Sequence, residues 1–320
     1  MKPTDTNIGD IDLVYLWVNG NDPRWQAKRN AVIGKTEEHS AVNCDGRYAD
    51  NDELRYSLRS VEQYAPWIRR IFIVTDNQTP VWLDTTNPKI RIVDHKEIMP
   101  AECLPCFNSN VIEHFLSEIP GLSEHFLYAN DDMYLNQPVN PSDFFASDGL
   151  PIIRQNRRPF RKFTLMIKDK VLHKPLSNYN VTIHRTAELV ESRFGHYFSG
   201  KAHHNIDSYL KSDCRHTRDY FKDEIGSTLQ NHVRKPNDIQ RSIYHSVALA
   251  EHRGHLRYVS QRESLRIHIQ NRKHYGKLKK YNPIFFCMND SEYAHEADRE
   301  YARAFLEERF PAKSVYEKNP

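Results

Sequence analysis

The chain has 320 residues, 27% of them charged, with a formal net charge of +3 and a mean hydropathy of −0.74. That length allows one large domain or two small ones with a sizeable core. The absence of any apolar run near the roughly 18 residues needed for a spanning helix excludes a transmembrane segment. A balance this mildly basic is far from that of a dedicated nucleic-acid binder, so no nucleic-acid partner is expected. Five scattered cysteines (Cys44, Cys103, Cys106, Cys214, Cys287) do not form a disulfide framework. The start, Met1-Lys2-Pro3-Thr4-Asp5-Thr6, has no apolar signal region, and a cytoplasmic location is expected.

In chain order, Ile11-Asp12-Leu13-Val14-Tyr15-Leu16-Trp17-Val18 reads as a buried strand, closed by the turn residues Asn19-Gly20-Asn21-Asp22-Pro23. Residues 24–43 read as helical or irregular. An amphipathic helix is predicted over 51–64, with Leu54, Leu58 and Val61 on one stripe and Asp50, Asn51 or Asp52 as candidate caps. Strands follow at 70–75 and 90–94, a helix at 109–116 and a strand at 126–129. Cys103-Leu104-Pro105-Cys106 reads as a loop into that helix, because a zinc site wants a second matched pair and a redox motif wants another setting. Strand, helix, strand, strand, helix, strand is an α/β pattern with a mostly parallel, Rossmann-like sheet. Beyond about residue 150 the elements shorten, basic residues gather at 154–174 and 262–280, and helices are predicted at 238–253 and 291–309. One domain fits best, with an α/β half at 11–150 and a more helical half at 151–320.

Five polar clusters carry the chemistry. The most telling is Asn130-Asp131-Asp132, delivered by the apolar Phe126-Leu127-Tyr128 to the carboxyl end of a strand, where open α/β sheets bind ligands. Adjacent carboxylates repel each other unless a divalent cation sits between them and a diphosphate. The other reading is a plain Asx-rich turn. Trp17-Val18-Asn19-Gly20 follows the first strand, and its glycine lets backbone approach a nucleotide. In the third cluster, Asp50 to Arg59, acids gather at a helix start and Arg55 and Arg59 follow one turn apart. Lys201-Ala202-His203-His204-Asn205-Ile206-Asp207 offers imidazole as acid or base, or a zinc ligand set. Finally, Arg234-Lys235-Pro236-Asn237-Asp238 supplies cations for phosphate, and Phe285-Phe286-Cys287-Met288-Asn289-Asp290 is a second apolar strand ending in Asn-Asp. Acids for a metal, arginines for a diphosphate and a histidine for a hydroxyl proton are the parts of phosphoryl transfer. From the residues alone, this reaches a metal-dependent transferase acting on a nucleotide diphosphate.

The clusters at 11–23, at 47–84 with Asn130-Asp131-Asp132, at 201–207 and at 286–290 resemble, in order and spacing, the four conserved regions of the Stealth family. That family holds bacterial capsular and exopolysaccharide hexose-1-phosphate transferases and the animal N-acetylglucosamine-1-phosphotransferase. The resemblance implies attack by an acceptor-glycan hydroxyl on the β-phosphorus of a UDP-sugar, with release of UMP and Mg2+ or Mn2+ as cofactor. It implies nucleotide-sugar contacts from Trp17, Val18, Asn19, Gly20, Asn51, Asn110, Asp207 and Asp238, and a metal held by Asp132, Asn289 and Asp290. His204 is implied as general base, with Asp131, Arg234 and Arg55 also catalytic. Where the family often has proline before this histidine, the chain has His203. The implied partners are a UDP-sugar and an oligo- or polysaccharide acceptor, and the basic surface suits a peripheral seat at the inner face of the membrane. A metal-dependent glycosyltransferase releasing UDP and a non-catalytic polysaccharide-binding module remain as alternatives; the paired carboxylates oppose the latter.

Overall fold

The computed structural model describes residues 8–33, 48, 50–291 and 293–318. The N-terminal stretch 1–7, the span 34–43, Cys44 and Arg47 therefore lie outside the described residues. The central sheet contains β1 (Ile11–Leu16), β2 (Ile71–Thr75), β3 (Ile90–Asp94) and β4 (His125–Asn130), all parallel. A short antiparallel arm, β5 (Met133–Leu135), follows β4 after a two-residue turn. Further strands are β6 (Ile152–Asn156), β7 (Lys201–Ala202), β8 (Asp207–Leu210), β9 (His255–Tyr258), β10 (Ser264–His268) and β11 (Phe285–Asn289).

The five-stranded sheet runs β3-β2-β1-β4-β8, with β8 antiparallel to β4. The chain steps outward from β1 to β2 and β3, then returns to place β4 on the other side. The crevice between β1 and β4 is thus the switch point, where open α/β sheets receive ligands. β1 is apolar on both faces because both are covered. Leu13 and Tyr15 pack with Leu54, Leu58 and Val61 of helix Glu53–Tyr64, while Val14 packs with Phe72, Val74 and Tyr128 on the opposite side. Asp12, fully buried in this strand, is neutralised by Arg69 at 2.5 and 2.8 Å. A second sheet, β10-β11-β5, joins the first where Met288 N donates to the Asp132 carbonyl at 3.0 Å. A third comprises β7-β6-β9.

The observed α/β architecture matches the expectation, and several boundaries shift for local reasons. The helix expected over 51–64 begins at Glu53, and Asp52, at φ 64°, makes no side-chain cap; Asn51 N donates instead to Glu53 Oε2 at 2.6 Å. The helix expected over 238–253 spans Ser242–Ala250, because Asp238 is tied into the preceding loop. That expected over 291–309 spans Glu296–Arg309. The longest helix among the described residues, Asn178–Phe194, is not among the elements expected from the sequence. It begins with a Ser177 cap and ends on Gly195 at φ 70°, and its apolar stripe is narrow, with Thr182 and Thr186 buried among Ile183, Ala187 and Val190.

Candidate active site

Two chambers open along the β1/β4 switch point. The first, of about 250 Å³, is walled by Trp17, Trp25, Tyr48, Phe107, Glu53, Asp131, Asp132, Asn289 and Asp290. The second, of about 680 Å³, is walled by Asn110, Tyr179, Lys235, Gln240, Arg241 and Arg266. Ser109, Asn130, His204, Arg234 and Asn289 line both.

The first chamber is acidic at one end. Asp131 and Asp132 leave β4 where Asn130 pairs with Leu16 of β1. Burial, then the charges of Glu53, Asp132 and Asp50, push the Asp131 carboxyl well above its ordinary value. Burial also raises Asp132 to about 7, Glu53 to about 7 and Asp50 to about 6. Acids so placed hold protons near neutral pH unless a cation joins them. Asp132 Oδ1 is a buried oxygen without a hydrogen-bond partner, which suits a cation ligand. Asp290 comes from the end of β11, held by Arg299 at 2.7 Å, with Asn289 beside it. Among the described residues no group of three or more His, Cys, Asp or Glu is arranged to cage a metal. Mg2+ characteristically takes only one or two carboxylates and completes its shell with water and substrate phosphates, so this donor set fits it.

The other end of this chamber is aromatic. Trp25 lies 5.1 Å from Tyr48 and 5.3 Å from Phe107, centroid to centroid. Gly20 serves a close backbone approach, but to the chain itself: its N–H donates to Tyr48 O at 2.7 Å, and a Cβ there would meet that oxygen at 2.2 Å.

The dividing wall joins two loop residues, His204 and Arg234, to Ser109, Asn130 and Asn289 at element ends. His204 sits at φ 60°, left-handed backbone that is uncommon for residues other than glycine. The reversal parts two adjacent imidazoles. His203 turns inward, between Ser264 Oγ at 3.0 Å and Asp207 Oδ1 at 3.1 Å, whereas His204 faces both chambers. Enclosure, then the nearby Arg266 and Arg241 charges, hold the His204 imidazole well below its ordinary pKa, and therefore neutral at pH 7. Arg234 donates to Ser109 Oγ at 2.7 Å, at the start of helix Ser109–Ile112. Its loop is fastened by the fully buried Asp238, which accepts from Asn108 and Asn110 at 2.9 Å each, from Asn231 at 2.7 Å and from Lys235 N at 3.1 Å.

Of the residues singled out in the sequence, Trp17, Val18, Asp131, Asp132, His204, Arg234, Asn289 and Asp290 line the first chamber, and Asn110 the second. Asp207 is tied behind the wall to His203 and to Arg241 at 2.6 Å, and it lies far below the usual carboxylate range against burial that would raise it. Asn19 is bonded to Gln78, and Asn51 to Glu53. Arg55 lies outside both linings, 2.6 Å from Glu317 Oε2. Sequence reasoning did not single out Arg241, Arg266 or the Trp25–Tyr48–Phe107 wall. Arg266 is one of several cations in a basic stretch, and only its place on β10 sets it apart. The Cys103–Cys106 pair ends buried, with burial pushing the Cys106 thiol up to about 12, which leaves no reactive thiolate.

Family models of Stealth protein CR1, conserved region 1, and Stealth protein CR2, conserved region 2, match residues 9–37 and 47–153. The chain is 32% identical over 334 residues to an exopolysaccharide phosphotransferase of Lactiplantibacillus plantarum, covering 97% of this chain and 96% of that protein. It is 36% identical over 324 residues to an exopolysaccharide phosphotransferase of Streptomyces coelicolor, covering 96% of this chain but 52% of that one, so it spans about half the length of this relative. Among solved structures it is similar in outline to the galactosyltransferase LgtC in complex with donor and acceptor sugar analogues, at 11% identity, 97% coverage of both chains and a TM-score of 0.46.

Proposed function

The chain belongs to the Stealth family, and from that premise we propose that it transfers a hexose-1-phosphate from a UDP-sugar to a hydroxyl of an acceptor glycan, releasing UMP. The observation that carries this reading is the shared wall: His204 and Arg234 stand between a carboxylate-rich chamber and a cation-rich one. The names of the relatives, exopolysaccharide phosphotransferases, support the same class of reaction.

In this reading the uracil and ribose lie against the Trp17, Trp25, Tyr48 and Phe107 wall, whose rings offer apolar area and stacking faces. Asp131, Asp132, Asn289 and Asp290 would hold Mg2+ or Mn2+, which when bound supplies charge neutralisation for the diphosphate. Arg234 meets the β-phosphoryl oxygens from the wall. The acceptor hydroxyl enters from the second chamber, and neutral His204 takes its proton. The hydroxyl oxygen bonds to the β-phosphorus as the bond to the bridging oxygen breaks. That oxygen leaves on UMP, and the sugar-1-phosphate becomes a diester. No helix among the described residues is long and apolar enough to cross a membrane. The proposal places the protein in the cytoplasm, peripheral at the inner face of the membrane.

The deciding experiment incubates the protein with Mg2+, a panel of UDP-sugars and short oligosaccharide acceptors, then resolves UMP from UDP chromatographically, with Asp132→Ala as blank. Acceptor-dependent UMP is expected. UDP in its place means attack at the anomeric carbon, and the glycosyltransferase reading replaces this one. Turnover of neither, with polysaccharide bound regardless of nucleotide and metal, means a binding module.

A further inference from the structure

Residues 157–174 line neither chamber, yet they concentrate an unusual surface chemistry. Among the described residues, five of the fourteen exposed large hydrophobic side chains fall here: Phe160 (73% exposed), Phe163 (59%), Met166 (41%), Val171 (64%) and Leu172 (52%). Soluble surfaces rarely gather such side chains without a partner. Interleaved with them are seven Lys or Arg against a single acid, Asp169.

The segment has a defined seat. Helix Arg161–Met166 widens into a π-type turn over Ile167–Val171, with Leu172 N donating to Ile167 O at 2.9 Å. Leu165 is buried beneath it. Arg161 donates to the Gly200 and Phe198 carbonyls at 2.9 and 3.1 Å, and Lys162 pairs with Glu191 at 2.5 Å. Those contacts fix the inner side. On the outer side, among the described residues, no ion pair engages Arg157, Arg158, Lys168, Lys170 or Lys174. Arg157 instead lies over the exposed Tyr258 ring at 5.8 Å.

We propose that this segment docks the protein on an anionic lipid bilayer. Phe160, Phe163, Met166, Val171 and Leu172 enter the headgroup–acyl boundary while the outer cations meet lipid phosphates. Apolar and aromatic anchors set among lysines and arginines are the makeup of interfacial helices. A second copy of the chain is disfavoured, because two faces with this charge repel each other. The chain runs on directly into Leu176, Ser177, Asn178 and Tyr179, which wall the second chamber. Docking would therefore bring that chamber toward the membrane. The inference sharpens the peripheral location proposed above and stands apart from the reaction: vesicle binding can fail while UMP is released, and the reverse.

The test is flotation of the full chain with vesicles of phosphatidylcholine alone or with about a third phosphatidylglycerol. Binding to the anionic vesicles about tenfold or more above the neutral ones is expected, weakening as salt rises. Phe160→Ser with Phe163→Ser should cut it about tenfold, as should Lys168→Glu with Lys170→Glu, with unchanged melting temperatures and unchanged turnover of soluble acceptor. Equal recovery with both vesicle types, or binding indifferent to both double variants, overturns the proposal. So does a dimer in sedimentation velocity that the phenylalanine variant dissolves, which would assign the face to a second copy, and so does loss of vesicle binding only when an added protein is removed.

Discussion

The two chambers of the cleft share a wall but have opposite electrostatics. In the first, Glu53, Asp131 and Asp132 crowd together, with Asp50 in electrostatic reach, and all four carboxyls are pushed up. In the second, Arg234, Lys235, Arg241 and Arg266 share the lining, and Arg241 is ion-paired with Asp207 at 2.6 Å. Each side is incomplete on its own: one wants a cation and the other an anion. A metal-bound diphosphate laid across the wall would satisfy both. The contrast also separates arginines that look alike in sequence. Arg234 lines both chambers from a loop, held by Ser109, whereas Arg55 and the buried Arg59 both grip the buried Glu317.

The largest effect should come from the acidic side. Asp132→Ala is expected to lower kcat/KM by about 10³-fold or more, since a metal contributes several kcal/mol of charge stabilisation; a variant that keeps full activity at limiting Mg2+ would break the assignment. His204→Ala should cost about 10²- to 10⁴-fold in kcat, the usual worth of a positioned base, read in single-turnover assays. Trapping of a labelled protein adduct at His204 would instead mark a phosphohistidine step.

Away from both chambers, Glu317→Gln should cost about 3 kcal/mol of stability in urea titrations, because it strands Arg59 in a buried pair, while KM for the donor stays put. The next prediction concerns pH. Burial raises the folded-state values of Asp132 and Glu53 to about 7, from ordinary values of 3.8 and 4.5. The unfolded chain loses those protons first, so their contribution makes the fold less stable as pH rises through that interval. Mg2+ should relieve the penalty, raising Tm more at pH 8 than at pH 5; an equal shift at both would detach the metal from these carboxyls. The smallest effect belongs to Arg266→Gln, about tenfold in kcat. With one of the cations that depress His204 removed, the acidic limb of the kcat/KM profile should move to higher pH.

Much of the first half was legible. β1 to β4 follow from apolar runs bounded by turn residues, and their order implies a parallel sheet with a switch point. The second half was not. Helix Asn178–Phe194 hides behind buried threonines, and β6 to β10 are short strands whose pairing is wholly long-range. The interval between Asp238 and Ser242 reads as helix by pattern, yet Asp238 is drawn away by the amides of Asn108 and Asn110, far off in the chain, and of Asn231 in the preceding loop.

The sequence by itself determined the kinds of groups on offer and the strand end at which Asp131 and Asp132 emerge, because strand period and turn chemistry are local. Tertiary structure alone decided which groups meet. It turned His204 into the cleft and His203 away, committed Arg55 to Glu317, and brought Arg266 from an unremarkable basic stretch to within electrostatic reach of both Asp132 and His204. Those outcomes depend on a left-handed backbone at one residue and on contacts between segments far apart in the chain, neither of which residue spacing encodes.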